Sequence, residues 1–247
     1  MTAAPLARRA AAEFLGTGLL VTVVVGSGIA AETQTQDPGL RLLENALATA
    51  AGLAVLILVF GPVSGGHFNP VISLADSWLG RRDSTGLSAA GVTAYVLAQV
   101  GGAIAGAVLA NAMYDEPLVA WSGHHRSGGG VWLGEVVATA GLLLVVVALA
   151  RSGRSGQTAW AVGAYIGSAY WFTSSTSFAN PAVTVGRAVT DTFAGIAPGS
   201  VGGFVLAQVL GGVLGVALLA VLYPRTGAAA AAEDLVIPRH NVPTERH

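Results

Sequence analysis

The 247-residue sequence contains no cysteine and no lysine, and only 10% of its residues are charged. Without cysteine, the chain has neither a disulfide framework nor a thiolate site for a metal ion. The net charge of −1 gives no electrostatic reason to expect a nucleic-acid partner. Because 53% of the residues are apolar and so few are charged, the composition argues against a soluble fold.

Long apolar stretches are abundant, and they match the roughly 20 residues needed to cross a bilayer core of about 30 Å. Six of them are predicted to span a membrane, at about 10–31, 42–63, 87–111, 131–150, 158–174 and 199–222. Two further apolar segments, at about 69–79 and 180–190, are too short to cross. The first stretch is long and lacks a small-residue cleavage site, so we interpret it as a membrane helix rather than a signal peptide.

The arginines are distributed unequally between the two sides of this six-span path. One side carries nine of them and the other carries only Arg41, Arg126 and Arg187. The positive-inside rule therefore predicts that both termini lie in the cytoplasm, and we expect the protein in the inner (plasma) membrane. We expect one channel domain over residues 1–224, followed by a loose cytosolic tail at 225–247.

The two halves of the sequence, at about 8–111 and 129–223, resemble each other. The segment YVLAQVGG from Tyr95 is similar to FVLAQVLGG from Phe204, and the dipeptide Asn-Pro occurs once in each half. Because each half contains three predicted spans, the second copy must insert upside down relative to the first. The short segments after the two Asn-Pro dipeptides then enter the membrane from opposite faces.

The paired dipeptides Asn69-Pro70 and Asn180-Pro181 are typical of helix starts, with asparagine as the cap and proline in the first turn. If the two half-helices meet tip to tip, their positive dipole ends, each about half an elementary charge, face one lumen and repel cations. If each asparagine oxygen accepts a backbone N–H of its own helix, only amide donors face the lumen. A neutral solute would then accept hydrogen bonds from these donors.

Segments rich in glycine and serine precede both dipeptides, at Ser64–Phe68 and Thr173–Ala179. Irregular backbone at membrane depth is tolerated where it lines a wet cavity, so we expect the carbonyl groups of these segments to form a ladder of acceptors. His67 lies in the first segment. It is either a donor to the pore or a polar group that ties the loop together.

Glu13 and Glu135 lie inside apolar spans, at matching places in the two halves. A carboxyl group at that depth is costly unless it is paired or faces a polar interior. Either the two groups relay protons in a coupled transporter, or they accept hydrogen bonds from backbone N–H groups of the two loops. We favour the second interpretation.

The runs SGGHFNP at 64–70 and NPA at 180–182 resemble those of the aquaporin, or major intrinsic protein, family over about residues 8–223. The resemblance implies an all-α membrane protein with six tilted transmembrane helices and two re-entrant half-helices around a pore. It also implies an assembly of four protomers that passes water or small neutral solutes. The first motif departs mildly from the family, because Val71 stands where alanine is usual.

The second motif departs further, because Val183 occupies the place of the arginine that normally follows Asn-Pro-Ala in this family. Carried over from the family by spacing, the other three positions of the outer constriction fall on Thr49, Ser168 and Ser177, with Ala51 as the alternative to Thr49. Such a set is small and uncharged, which implies a wider, half-apolar opening.

Arg187 lies four residues after Val183 and therefore on the same helical face. It either reaches the outer vestibule and supplies part of the missing charge, or faces solvent or a neighbouring loop. We expect the second placement.

The valine after Asn-Pro-Ala and the run GPVSG at 61–65 resemble bacterial aquaporins found with arsenic-resistance genes. This resemblance implies passive conduction of uncharged trivalent arsenicals, such as arsenous acid and methylarsenite, with some water and glycerol. A glycerol or urea facilitator is the alternative, and a proton-coupled transporter is a third possibility. No nucleophile, base and orienting group occur together, so we expect no enzymatic activity, and we expect no metal ion or cofactor.

Overall fold

The computed structural model describes residues 4–81 and 84–224, and these residues form helices without any strand. The predicted tail at 225–247 lies outside the described residues. The helices are α1 (Leu6–Gln34), α2 (Pro38–Ser64), α3 (Pro70–Gly80), α4 (Ala89–Met113), α5 (Gly129–Arg151), α6 (Thr158–Phe172), α7 (Pro181–Gly186) and α8 (Pro198–Leu222). Short 3-10 turns occur at Ser155–Gln157 and Arg187–Val189. The predicted all-helical fold is confirmed.

Five of these helices are long and apolar enough to cross a membrane, namely α1, α2, α4, α5 and α8, with 23 to 29 residues each. The sixth predicted span corresponds to α6, which has 15 residues. At a rise of about 1.5 Å per residue, α6 is only about 22 Å long. It ends early because Thr173 adopts an extended conformation and begins the loop that precedes α7.

The two half-helices begin at the predicted dipeptides. In both α3 and α7 the asparagine side chain accepts a hydrogen bond from the first turn, and proline occupies the first helical position. The missing N–H of proline costs nothing there, because that N–H has no intrahelical partner in any helix. The first half-helix has 11 residues, whereas the second has six and continues as the 3-10 turn that begins at Arg187.

Glycines allow the long helices to cross with their backbones in contact. A Cβ atom on Gly106 of α4 would overlap with the carbonyl oxygen of Gly18 on α1. In the second half, a Cβ atom on Gly211 of α8 would lie 2.5 Å from the carbonyl oxygen of Val136 on α5. Such close approach through small residues is how helices pack in lipid, where apolar burial gives little driving force. It fixes the frame that holds the half-helices.

Candidate functional site

The tips of α3 and α7 meet and are joined by two reciprocal hydrogen bonds. Asn69 Nδ2 donates to the carbonyl oxygen of Ala179 at 2.7 Å, and Asn180 Nδ2 donates to that of Phe68 at 2.7 Å. Phe68 and Ala179, which precede the two asparagines, adopt left-handed backbone conformations with φ of 48° and 49°. Each loop therefore presents its last carbonyl group to the amide of the opposite loop.

The oxygen of each asparagine amide is used within its own half-helix. Asn69 Oδ1 accepts from the backbone N–H of Val71 at 2.9 Å, and Asn180 Oδ1 accepts from those of Ala182 and Val183 at 3.0 and 3.3 Å. An amide has two N–H donors. One of them joins the two loops, which the sequence did not indicate, and the other has no acceptor within the described part of the chain.

Glu13 is fully buried and holds the first loop in place. Its Oε1 accepts from Ser64 Oγ at 2.6 Å and from the backbone N–H of His67 at 3.0 Å. Its Oε2 accepts from the backbone N–H of Phe68 and from Gln99 Nε2, both at 2.7 Å. The carboxylate thus offsets the cost of its burial with four hydrogen bonds, two of them from backbone N–H groups of the loop.

Glu135 holds the second loop in the same way and is also fully buried. Its two oxygens accept from the backbone N–H groups of Phe178 and Ala179 at 2.9 and 2.8 Å. Gln208 Nε2 donates to Glu135 Oε2 at 2.6 Å and to Thr184 Oγ1 at 2.9 Å, which ties α8 to the second half-helix. The hydrogen bonds of Glu135 therefore come from backbone and side-chain donors of the protein itself.

His67 contacts both the protein framework and the lumen. Its Nδ1 lies 3.1 Å from Ser73 Oγ on α3, and its ring makes an edge contact with Tyr95 at 5.5 Å between centroids. The same side chain lines the internal cavity described next. The two interpretations of His67 are therefore compatible with each other.

An internal cavity of about 60 Å³ lies where the loops meet the half-helices. On this measure a water molecule needs about 10–15 Å³, so the cavity has room for only a few water molecules. Its walls are aliphatic side chains from α1, α2, α5 and α6, and its polar side chains are Thr49, His67, Asn69, Tyr170, Ser177, Asn180 and Arg187. No carboxylate of the described residues lines it. Within those residues, no group of three or more histidine or acidic side chains could hold a metal ion.

The structure brings three of the four predicted constriction residues to this cavity, namely Thr49, Ser177 and Val183. Ala51, the alternative to Thr49, is exposed on the outside of α2. Ser177 Oγ is buried and has no hydrogen-bond partner within the described residues. The cavity thus contains one hydroxyl group that is available to a solute.

Ser168, in contrast, is not brought to the cavity. It is exposed, and its hydroxyl donates back to the carbonyl oxygen of Tyr165 at 2.8 Å. Ile166 and Tyr170 of the same helix line the cavity instead. Because each helical residue turns the chain by about 100°, a residue two positions from both lies on the opposite face. Tyr170 therefore replaces Ser168 in the candidate constriction.

Tyr170 changes the character of that constriction. Its hydroxyl lies 3.3 Å from Thr49 Oγ1, and both side chains are buried. The ring is therefore less uniformly small than the sequence predicted, because it includes one aromatic side chain. It still has a valine on the half-helix, so one side of the ring is apolar.

Arg187 is buried, with only 2% of its surface exposed, so it does not face solvent; it contacts the neighbouring loop, which was the other part of that expectation, and it also reaches the cavity. Its Nε donates to the carbonyl oxygen of Ala194 in the following loop, and its Cζ lies 3.4 Å from the ring centroid of Phe178. It also lines the cavity together with Val183. Phe178 lies in the loop before α7 and Ala194 lies in the loop that follows Arg187, so both contacts form only when these segments fold together.

Val71, the departure in the first motif, is buried and does not line the cavity. It faces α8, where a Cβ atom on Gly212 would lie only 2.6 Å from Val71 Cγ1. The larger side chain is therefore accommodated by a glycine on the neighbouring helix.

Comparisons with known proteins agree with this architecture. The family model described as "Major intrinsic protein" matches residues 1–176. Aquaglyceroporin AqpS of Rhizobium meliloti (strain 1021) is 50% identical over 214 residues, which cover 87% of this chain and 89% of that protein. The glycerol uptake facilitator protein of Pseudomonas aeruginosa is 30% identical over 179 residues, which cover 62% of each chain.

Among solved structures, the aquaglyceroporin from Plasmodium falciparum matches with a TM-score of 0.71 at 19% identity, over 89% of this chain and 98% of that one. At this identity the match supports the fold alone. The fold, the paired loops and the family match lead to one conclusion: the chain belongs to the major intrinsic protein family.

Proposed function

We propose that the protein is a passive membrane channel for small uncharged solutes, and that trivalent arsenicals are its main solutes. The observation that carries the second part is Val183 at the constriction, in the position where the family usually has arginine. A valine leaves more room and offers no donor there. The opening then suits a solute that is wider than water and has several hydroxyl groups.

Arsenous acid fits this description, because it has three hydroxyl groups and is uncharged at neutral pH. Methylarsenite replaces one hydroxyl with a methyl group, which suits the apolar side of the ring at Val183. The free hydroxyl of Ser177 and the second amide hydrogens of Asn69 and Asn180 are available to either solute. Hydrogen bonds to these groups offset the loss of water from the solute as it enters.

Passive conduction is supported over proton-coupled transport by the positions of the two buried glutamates. Glu13 and Glu135 accept hydrogen bonds from the loops, and neither lines the cavity. A proton relay needs an ionisable group that faces the solute or a water-filled path. The dipole ends of α3 and α7 also disfavour protons and cations at the meeting point.

Facilitation of glycerol is the second candidate, since glycerol also has three hydroxyl groups and two of the relatives above are named for glycerol transport.

We also propose a homotetramer in the inner membrane, with both termini in the cytoplasm. The nine-to-three distribution of arginines between the two sides supports that orientation.

Stopped-flow measurements on proteoliposomes test the proposal directly. Arsenite, methylarsenite, glycerol, urea and water are compared in the same vesicles, with protein-free liposomes as the control. We expect the ratio of protein-mediated to background flux to be largest for the two arsenicals, and to be insensitive to an uncoupler. A larger ratio for glycerol than for both arsenicals would favour the second candidate, and flux against a gradient would contradict a passive channel.

A further inference from the structure

We infer that Arg187 supplies the fixed positive charge of the outer constriction, from about one helical turn beyond Val183. Its terminal nitrogens and the Ser177 hydroxyl group form a subsite for hydroxyl groups of the solute. The nature of the solute rests on the proposed function, whereas the exclusion of cations does not. The inference depends on three observations: where Arg187 lies, which of its N–H donors are unused, and which groups hold its side chain.

The position of Arg187 places a charge on the cavity wall. It lines the same cavity as Val183, Ser177 and Asn180, although it is four residues further along the chain than Val183. No carboxylate in the described ranges forms a salt bridge with it. A buried guanidinium with no carboxylate within salt-bridge distance repels cations, because screening by water is weak in such a site, and Glu135 acts on it only from further away.

The donors of Arg187 are only partly used by the protein. A guanidinium has five N–H donors. The Nε donor goes to the carbonyl oxygen of Ala194, and the terminal nitrogens make no hydrogen bond to any described residue. Unpaired donors of a buried charge are costly, so these nitrogens require water or a solute as their partner. The nearest such space is the cavity that the residue lines.

The same cavity contains the hydroxyl group of Ser177, which can both donate and accept a hydrogen bond. Ser177 Oγ is buried, with 2% of the residue exposed, and has no partner among the described residues. A neutral solute with several hydroxyl groups can accept from the guanidinium of Arg187 through one oxygen and exchange a hydrogen bond with Ser177 through another.

The ring of Phe178 keeps the guanidinium at the wall rather than in the centre of the pore. The ring centroid lies 3.4 Å from Arg187 Cζ and 5.4 Å from Arg126 Cζ. The attraction between a guanidinium and an aromatic face is strongest at such short distances. Together with the bond to Ala194, this contact draws the charge aside and leaves the aperture beside Val183 open.

Arg126 provides a control, because it also bonds a carbonyl group of the loop after α7 and lies near Phe178 but does not line the cavity. Its Nε donates to the carbonyl oxygen of Gly195 at 2.9 Å and its Nη2 to that of Phe193 at 3.3 Å. Burial lowers the pKa of its guanidinium from the ordinary value, as expected for a cation removed from water. It does not line the cavity. A purely structural contribution to the loop would be shared by Arg126 and Arg187.

The test compares Arg187→Gln with Arg126→Gln in proteoliposomes. The readouts are potassium flux under an imposed diffusion potential, proton flux from an internal pH dye, and the fluxes of glycerol and water. Arg187→Gln should raise cation or proton flux at least tenfold, which corresponds to about 1.4 kcal/mol of lost repulsion. Arg126→Gln should leave the cation flux at the wild-type level.

A double variant with Val183→Arg and Arg187→Val moves the charge back by one turn. We expect it to regain exclusion of cations and to lose glycerol flux relative to water flux, because the guanidinium then occupies the aperture.

Arg187→Lys keeps the charge but not the planar group that rests on Phe178, so it should exclude cations while altering glycerol flux. It is the decisive variant if Arg187→Gln fails to fold.

Three results would overturn the inference: wild-type cation flux in folded Arg187→Gln, an equal leak in Arg126→Gln, or a leak in Arg187→Lys. None of these readouts depends on which neutral solute the channel carries. A protein that excludes cations through Arg187 but shows no arsenical flux would contradict the proposed function alone.

Discussion

Val183 determines how much of the constriction a side chain fills, so its replacement by arginine is the most direct change to the pathway. The new guanidinium would project from the first turn of α7 toward Tyr170 and Thr49, and it would add charge beside Arg187. We expect Val183→Arg to reduce arsenical and glycerol flux far more than water flux, because the opening narrows. Stopped-flow rates for the three solutes give the ratio, and an unchanged ratio in folded protein would place the constriction elsewhere.

Asn180 offers a second test of a single side chain, because its amide both joins the loops and faces the lumen. In Asn180→Asp, an oxygen can still accept from the first turn of α7, but the donor to Phe68 is lost and a negative charge is added. The charge offsets the positive end of the half-helix. We therefore expect an added cation leak, measured as potassium flux in proteoliposomes.

Asn69→Asp is the matched variant in the other half, since Asn69 makes the equivalent bond to Ala179. Both substitutions should raise the leak. If both leave potassium flux and solute flux at wild-type levels, the meeting point of the half-helices is not on the conduction path.

The second loop depends on Glu135, and two substitutions separate its possible roles. Glutamine keeps one of the two acceptor oxygens, whereas leucine leaves the donors of Phe178 and Ala179 both unpaired at about 1–3 kcal/mol each. We expect Glu135→Gln to retain more glycerol flux than Glu135→Leu. Flux that is lost equally in both, with both proteins folded, would support a proton relay instead.

The contact between α1 and α4 is expected to depend on the absence of a side chain at Gly106. A Cβ atom there overlaps with the backbone of Gly18, whereas nothing lies within 4 Å of a Cβ atom on Gly202 in α8. Gly106→Ala should therefore lower the thermal unfolding temperature in detergent. Gly202→Ala should maintain or raise it, because alanine gains up to about 1 kcal/mol over glycine within a helix. An equal response of both variants would refute close packing as the cause.

Features that depend on local chemistry were predictable from the sequence. The dipeptides at Asn69 and Asn180 define both half-helices because asparagine caps and proline starts a helix regardless of what surrounds it. The helix α6 was predicted at nearly the correct position, but its shorter length depends on where the following loop leaves it. Apolar composition alone does not locate that point.

Features that depend on the relative rotation or contact of distant segments were not predictable. Ser168 and Tyr170 differ by two positions, and only the packing of α6 determines which one faces the cavity. The burial of Arg187 requires Phe178 and Ala194, which a helical repeat within α7 does not reveal. One signal was present in the sequence, since Arg187 is an arginine one turn after a position where an arginine was missing.

The molecule as a whole should conduct equally in both directions, because no carboxylate of the described residues lines its cavity to couple the solute to a proton gradient. We expect equal inward and outward glycerol rates at equal gradients. An uncoupler should change neither rate. A rate that follows the pH gradient instead would indicate coupling to protons.

The reciprocal bonds between the two asparagines and the opposite loops also have a consequence for biosynthesis. The acceptor for Asn69, the carbonyl group of Ala179, follows it by 110 residues. At a translation rate of about 5–20 residues per second, the ribosome needs about 5 to 20 s to reach it. During that interval the first re-entrant loop lies in the membrane without its partner, exposed to quality control. We therefore expect the nascent first half to be more susceptible to proteolysis than the complete chain.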